Sequence, residues 1–304
     1  MLRAQIKSLA ELIAIRAGGR VLGSLRQRGR VLILAYHNVV PRGEMPCGDR
    51  SLHLPQDTFG RQLDELQGRY DVVPLAELRR DSADRARAAL TFDDGYLGTL
   101  TAGLEEVQRR GLPATVFLPP GFVGGRSFWW DELADCFDGA IPANLRERLL
   151  TELAGDDEEI RRWVSEQGLR LRGSLPPWAC AASEAELRSA AGYRGLTLGS
   201  HSWSHVNLAS VDPARRRVEL AQSKSWLEAT FPQSSIAWLS YPYGLESMDA
   251  RADARQAGYV AALRGNGGHF RPGSAPIYGL PRLNVPAGLS DAGFALRAAG
   301  LFER

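Results

Sequence analysis

Two carboxylates stand side by side in this chain, Asp93 and Asp94, directly after the apolar run ARAALTF (86–92) and directly before Gly95. Like charges repel, and taking both out of water costs several kcal/mol unless something offsets it. A solvated surface turn is one setting for such a pair. A metal ion beside a general base is another: one acid binds the ion and its neighbour stays free to take a proton from water. A second candidate segment, HSWSH (201–205), follows the run LTLGS (196–200) and sets His201 and His205 four residues apart. One helical turn or a tight loop brings two such imidazoles to one side, where both can bind a metal. Two separate histidines, on the surface or in the core, are the plainer reading of that spacing. The chain has five histidines, and His37, His201 and His205 lie at or beside the ends of apolar runs. Together with the acid pair they make a His2Asp set, and three protein ligands with an open position is the catalytic rather than the closed structural arrangement.

The segments that would have to position these groups are short apolar runs: VLILAY (31–36) before His37, ARAALTF before Asp93, ATVFLP (114–119), LTLGS before His201, IAWLSY (236–241) before Pro242, YVAAL (259–263) and LPRLNV (280–285). Each has the length of a strand buried on both faces. Helical patterns lie between several of them, at 58–69, 99–111 and 213–231. Alternating strands and helices imply a parallel sheet with right-handed crossovers. The fold class expected is therefore α/β, a distorted (β/α)7-type barrel whose closure need not be complete, with chemistry at the C-terminal ends of its strands. Residues 124–182 break the rhythm and read as a helical insertion able to roof or flank the site, carrying Trp129, Trp130 and Trp163.

The composition is that of an ordinary globular chain, and its formal charge of +2 is too small to imply nucleic acid. Cys47, Cys136 and Cys180 form no CxxC pair, which suggests neither a cysteine zinc site nor a disulfide framework. Residues 1–30 hold seven Lys or Arg against one acid, and Leu2, Ile6, Leu9 and Ile13 repeat at helical spacing. That is a basic amphipathic helix, able to lie on an anionic membrane surface or to pack on its own domain. No signal peptide and no membrane span are read. The domains expected are this helix and a barrel over 31–304.

Three motifs, in order and spacing, resemble the polysaccharide deacetylases, carbohydrate esterase family 4 or NodB-like proteins. TFDDGY (91–96) resembles the first motif, HSWSH the second, and SYPYG (240–244) the third in a branch where Tyr-Pro-Tyr-Gly stands for the usual Arg-containing version. The resemblance implies a distorted (β/α) barrel and a hydrolase of N-acetyl groups. It makes Asp93 the general base and Asp94, His201 and His205 the ligands of a divalent metal, zinc first, with cobalt or nickel as alternatives. It makes the backbone N–H of Tyr243 an oxyanion donor, and Tyr241, Pro242 and Gly244 the shapers of the acetyl pocket. Trp129, Trp130 and Trp203 read as core more readily than as sugar platforms; Trp203, inside HSWSH, ranks highest of the three for contact with substrate.

Two departures bear on the rest of the site. The late histidine that acts as general acid in many members is absent from LPRLNV, and AYHNV (35–39) resembles an early motif of another branch. His37 is therefore assigned as the acid, with a packing role as its alternative. The third motif lacks its arginine, and Arg282 is the substitute expected to orient Asp93. His53 is expected to be structural, before a helix capped by Asp57 or Thr58, with binding at the rim as its alternative. The substrate expected is an N-acetylated amino sugar in a polysaccharide or its lipid- or nucleotide-linked precursor. The location expected is cytoplasmic, at the inner face of the membrane, with residues 1–30 as a peripheral contact. The rival readings are a hydrolase of a non-sugar amide or cyclic ureide, and a catalytically inactive sugar-binding relative.

Overall fold

The computed structural model describes residues 29–78 and 85–301. The basic amphipathic segment expected over residues 1–30 thus lies, save for its last two residues, outside the described residues. Among the described residues no helix is long and apolar enough to cross a membrane.

Seven parallel strands close a barrel: β1 (Val31–Tyr36), β5 (Arg87–Phe92), β6 (Ala114–Leu118), β7 (Leu196–Ser200), β8 (Ser235–Ser240), β9 (Ala261–Gly267) and β10 (Leu280–Asn284), with β1 pairing both β5 and β10. The apolar runs read from the sequence become these strands because each can bury both faces. A closed parallel sheet leaves no free edge among them, and β4 (Asp71–Val72) adds a short rung beside β5. A separate parallel pair, β2 (Asn38–Val40) with β3 (His53–Pro55), branches off just after β1. Val31, Ile33, Ala89, Phe117, Leu263 and Leu280 fill the lower barrel. The outward faces pack against α1 (Gln56–Gln67), α2 (Leu104–Arg109), α6 (Glu184–Ala191), α7 (Pro213–Thr230), α8 (Met248–Gln256) and α9 (Asp291–Ala298).

Three local expectations are corrected. Helix α1 starts at Gln56 with Pro55 as its N-cap and no side-chain cap bond, so neither Asp57 nor Thr58 caps it. Its start is set instead by proline stereochemistry just outside the first turn. Residues 99–103 form a π turn before α2 rather than α-helix. Strand β9 starts at Ala261, two residues into the run YVAAL, and continues past its end to Gly267.

The insertion builds its own core. Helices α3 (Trp129–Ala134), α4 (Ala143–Glu152) and α5 (Asp157–Glu166) gather Phe128, Trp129, Trp130, Leu149, Ile160 and Val164 around Tyr96, which follows β5. Outside the barrel the buried Glu106 of α2 accepts from Arg42 and Arg110, each at 2.6 Å, and from Gln56 and Arg109. One carboxylate thereby joins two helices and the loop after β2. Burial pushes its carboxyl up, but the arginines and Gln56 outweigh this and hold it down at about 2.

Candidate active site

Strand register sets the site. Tyr36 of β1 pairs with Phe92 of β5, so His37 and Asp93 emerge side by side at the same rim. The Asp93 N–H donates to the Tyr36 carbonyl at 2.9 Å. Leu118 pairs with Ser200, and the His201 N–H donates to Leu118, which brings HSWSH to that rim from two strands further round. Tyr243 and Gly244 arrive in the turn after β8, and Arg282 points in from β10.

The backbone is strained here. Of the non-glycine residues with left-handed φ, Asp94 (72°), Ser202 (60°), His205 (58°) and Tyr243 (59°) all belong to these turns. Each such residue costs on the order of 1–3 kcal/mol and persists only where its surroundings over-determine it. Gly95 (φ 70°) completes the turn after the acids, where a β-carbon would collide with Leu118.

Asp94, His201 and His205 converge, with one ligand atom from each lying within 4.8 Å of the others. His205 Nε2 is 3.0 Å and His201 Nε2 3.5 Å from the same oxygen of Asp94. The Nδ1 of His201 lies 2.7 Å from the Ser240 carbonyl. A carbonyl only accepts, so that nitrogen carries the proton and Nε2 presents its lone pair to the cluster. Electron-rich atoms crowded in a buried place are the donor set of a divalent cation, and the residues fit one. Burial pushes the Asp94 carboxyl up, but the two histidines outweigh it and hold it far below the usual carboxylate range. His201 is also buried, yet Asp93 and Asp94 raise it, whereas burial lowers His205.

Asp93 lies beside that trio, its Oδ2 3.9 Å from His201 Nε2, but is held by a different partner. Arg282 grips it with two bonds, Nη1 to Oδ1 at 2.8 Å and Nη2 to Oδ2 at 2.6 Å, and both residues are buried. The guanidinium is itself oriented by Thr91 Oγ1 and by the Arg264 carbonyl. Burial pushes Asp93 up, but Arg282 and His201 outweigh it, so the carboxyl stays ionised.

These groups open onto a cavity of about 290 Å³ lined by His37, Asp93, Asp94, His201, His205 and Arg282, and by Tyr243, Gly244, Gly265 and Asn284. The rest of its wall comes from Ala35 of β1, from Ser51 and Leu52 just before β3, and from the insertion: Trp130, Arg146 and Leu150. The Trp130 ring lies 4.7 Å from that of His205 and stacks on Phe128, while its indole N–H donates to Tyr96 Oη. Tyr96 Oη donates to Asp131, which pairs with the buried His53 at 2.8 Å. His53 is thus a structural anchor beneath the wall.

Three of the substrate-contact expectations are not met in this arrangement. Trp203 does not line the cavity; its carbonyl accepts from Gly121, and its ring lies beside that residue. The left-handed Ser202 turns the chain so that Trp203 leaves the face shared by the histidines. Tyr241 and Pro242 are buried behind the lining, with Tyr241 Oη donating to the Tyr278 carbonyl. Gly244 does reach the wall because its Cα touches Gly265, leaving no room for a β-carbon on either residue. His269 is at the far end of β1, where Phe270 pairs with Val31, and its Nε2 is bonded to Tyr70. The insertion residues Arg146 and Leu150 carried no motif that could have found them.

Comparison with known proteins follows the same lines. The family model described as polysaccharide deacetylase matches residues 80–262, more than half of the chain; His37 and Arg282 fall outside the match. The Bacillus subtilis protein YxkH, named for that family, is 28% identical over 272 residues, covering 86% of this chain and 74% of its own. Among solved structures, IcaB from Ammonifex degensii superposes with a TM-score of 0.63 at 17% identity, covering 90% of this chain and 98% of that one. The Streptococcus pyogenes deacetylase PplD, in complex with acetate, superposes with a TM-score of 0.61 at 16% identity, covering 89% and 99%. At these identities the two superpositions speak for the fold alone.

Proposed function

The chain belongs to the polysaccharide deacetylase family, and from that premise we propose that it is a metal-dependent N-deacetylase of an amino sugar, in a polysaccharide or in its lipid- or nucleotide-linked precursor. Membership makes it a carbohydrate deacetylase, a hydrolase of carbon–nitrogen bonds outside peptides. The observation that carries the finer reading is the division of labour between two adjacent acids. Asp94 faces two imidazoles as a ligand would, while Asp93 is kept ionised by Arg282 at the edge of the same cavity.

In this reading Asp94, His201 and His205 hold a divalent ion, zinc first, with cobalt or nickel as alternatives. Such an ion, when bound, supplies a Lewis acid that polarises an amide carbonyl and acidifies water. Asp93 takes the proton of the attacking water. Each of its oxygens has given one lone pair to Arg282 and keeps another for that proton. The water oxygen bonds to the acetyl carbon, and the backbone N–H of Tyr243 stabilises the charge that gathers on the carbonyl oxygen. His37, beside Asp93 at the rim of the cavity, gives its proton to the sugar nitrogen as the carbon–nitrogen bond breaks. Acetate and a free amine leave. Trp130, Arg146 and Leu150 bind and orient the sugar against the barrel rim and exclude water. The basic, amphipathic pattern of residues 1–30 supports a substrate met at an anionic membrane surface on its cytoplasmic side.

The test is acetate release. Protein stripped with chelator and reloaded with zinc or cobalt is offered N-acetylglucosamine oligomers, lipid-linked and nucleotide-linked N-acetyl sugars. Release from any of them supports the reading, and the panel ranks the classes. Stoichiometric metal with no release from any member refutes the substrate class, and an absence of metal binding refutes the site.

A further inference from the structure

The turn between the two histidines has no regular secondary structure of its own. His201 is followed by left-handed Ser202, and His205 is itself left-handed. Something outside the turn must hold it. Helix α7 does so with two residues one turn apart on the same face. Ser223 Oγ lies 2.8 Å from Ser200 Oγ, gripping the strand just before His201, and Tyr259 Oη donates to that same Ser200 oxygen. Four residues earlier on the helix, Glu219 grips the far side of the turn. Its Oε2 accepts from the N–H groups of Trp203, at 2.9 Å, and Ser204, at 2.7 Å. Its Oε1 accepts from Ser204 Oγ at 2.5 Å. Three donors on two consecutive residues converge on one carboxylate that is 5% exposed. Charge-assisted bonds of this kind are roughly twice as strong as neutral ones.

We propose that Glu219 is a positioning residue for the histidine pair: by clamping Trp203 and Ser204 it holds the distance between His201 and His205 at which both can serve one metal ion. The inference rests on the metal reading given above. Glu219 touches neither the cavity nor the ligand atoms, so it acts only through the turn. Its charge is balanced from the solvent side by Arg215, whose Nε lies 3.7 Å from Oε1. Arg215 also bonds Asp156, the N-cap of α5, so the clamp is tied into the insertion. Releasing the clamp leaves two left-handed residues with less to over-determine them, and the turn relaxes toward ordinary conformations. Groups that orient metal ligands in this way are worth about 10–100-fold in metal affinity.

Two conservative variants separate position from charge. Glu219→Gln keeps the length of the side chain and its accepting oxygen but loses the charge. Glu219→Asp keeps the charge but withdraws it by one methylene, beyond the reach of bonds of 2.5–2.9 Å. Zinc affinity is read by competition with a chromogenic chelator, and thermal unfolding of the metal-free proteins checks that all are folded. The clamp predicts that Glu219→Asp binds zinc about ten-fold more weakly than the wild type, and more weakly than Glu219→Gln. A merely electrostatic role predicts the reverse order. Glu219→Asp binding as tightly as Glu219→Gln or tighter overturns the proposal while leaving the metal site standing. A wild type that takes up no zinc overturns the metal reading, and the clamp with it.

Discussion

Arg282 and Asp93 meet in a two-pronged pair, one guanidinium nitrogen to each carboxylate oxygen at 2.8 and 2.6 Å, across strands β10 and β5. The pair is buried, and a lysine in its place would present a single point charge to one oxygen instead of a planar fork to two. Arg282→Lys and Arg282→Met should therefore leave zinc bound and lower kcat by about 10²-fold or more, with the methionine worse. Steady-state kinetics beside zinc content checks this, and a variant with wild-type kcat removes Arg282 from the catalytic reading.

Asp93→Asn keeps size and hydrogen-bonding capacity but cannot take a proton. Turnover should drop by about 10²–10⁴-fold with zinc still stoichiometric. Loss of zinc in this variant would move Asp93 into the ligand set and exchange the roles given to the two acids.

Asp94→Ala and His205→Ala each remove a ligand from the trio. Neither variant should retain zinc through gel filtration, and neither should release acetate. Chelator treatment of the wild type should abolish release, and added zinc or cobalt should restore it. Activity that survives thorough stripping would contradict metal dependence.

Tyr96→Phe deletes one oxygen that accepts from Trp130 and donates to Asp131, at 2.8 and 2.7 Å, in the core under the insertion. Two buried polar groups lose their partner, which costs about 1–3 kcal/mol. Urea unfolding measures it. The same variant should raise KM more than it lowers kcat, because Trp130 walls the cavity and Asp93 does not depend on it.

Glu106 makes the stability of the fold depend on acid. Its carboxyl is ordinarily at 4.5 and is held at about 2 in the fold. A depressed folded value stabilises above the unfolded one and is lost as the pH falls through the window between them. Glu106→Gln should lower Tm at neutral pH. The gap between variant and wild type should close from pH 4.5 toward 2, and a gap of constant size would show that the arginine cage is not what depresses Glu106.

Much of this was legible in the sequence for a physical reason. Strands buried on both faces must be continuous apolar runs, and the residue that ends each run must emerge at one rim of a parallel barrel. Hence the ends of VLILAY, ARAALTF and LTLGS placed His37, Asp93 and His201 correctly at that rim. What the sequence hid depends on direction rather than position. The left-handed turn at Ser202 sends Trp203 away from the cavity, and no residue type announces that angle. Tyr241 and Pro242 sit next to lining residues yet face the core. Arg146 and Leu150 reach the wall from a helix that shares no period with the barrel, and Glu219 reads in sequence as one more polar residue on an exposed helix.

The close approach of Gly244 and Gly265 divides the cavity into two kinds of wall. On the barrel side, two backbones touch and any side chain at either position collides with the other. Those two positions offer nothing to redesign. On the insertion side the wall is made of side chains, Trp130, Arg146 and Leu150, borne on helices α3 and α4 that contribute none of the putting-together of Asp93, Asp94, His201 and His205. Diversification of sugar preference, in a laboratory library or over natural descent, has room in those side chains and in Ser51 and Leu52 beside them, with the chemical half of the pocket left as it is.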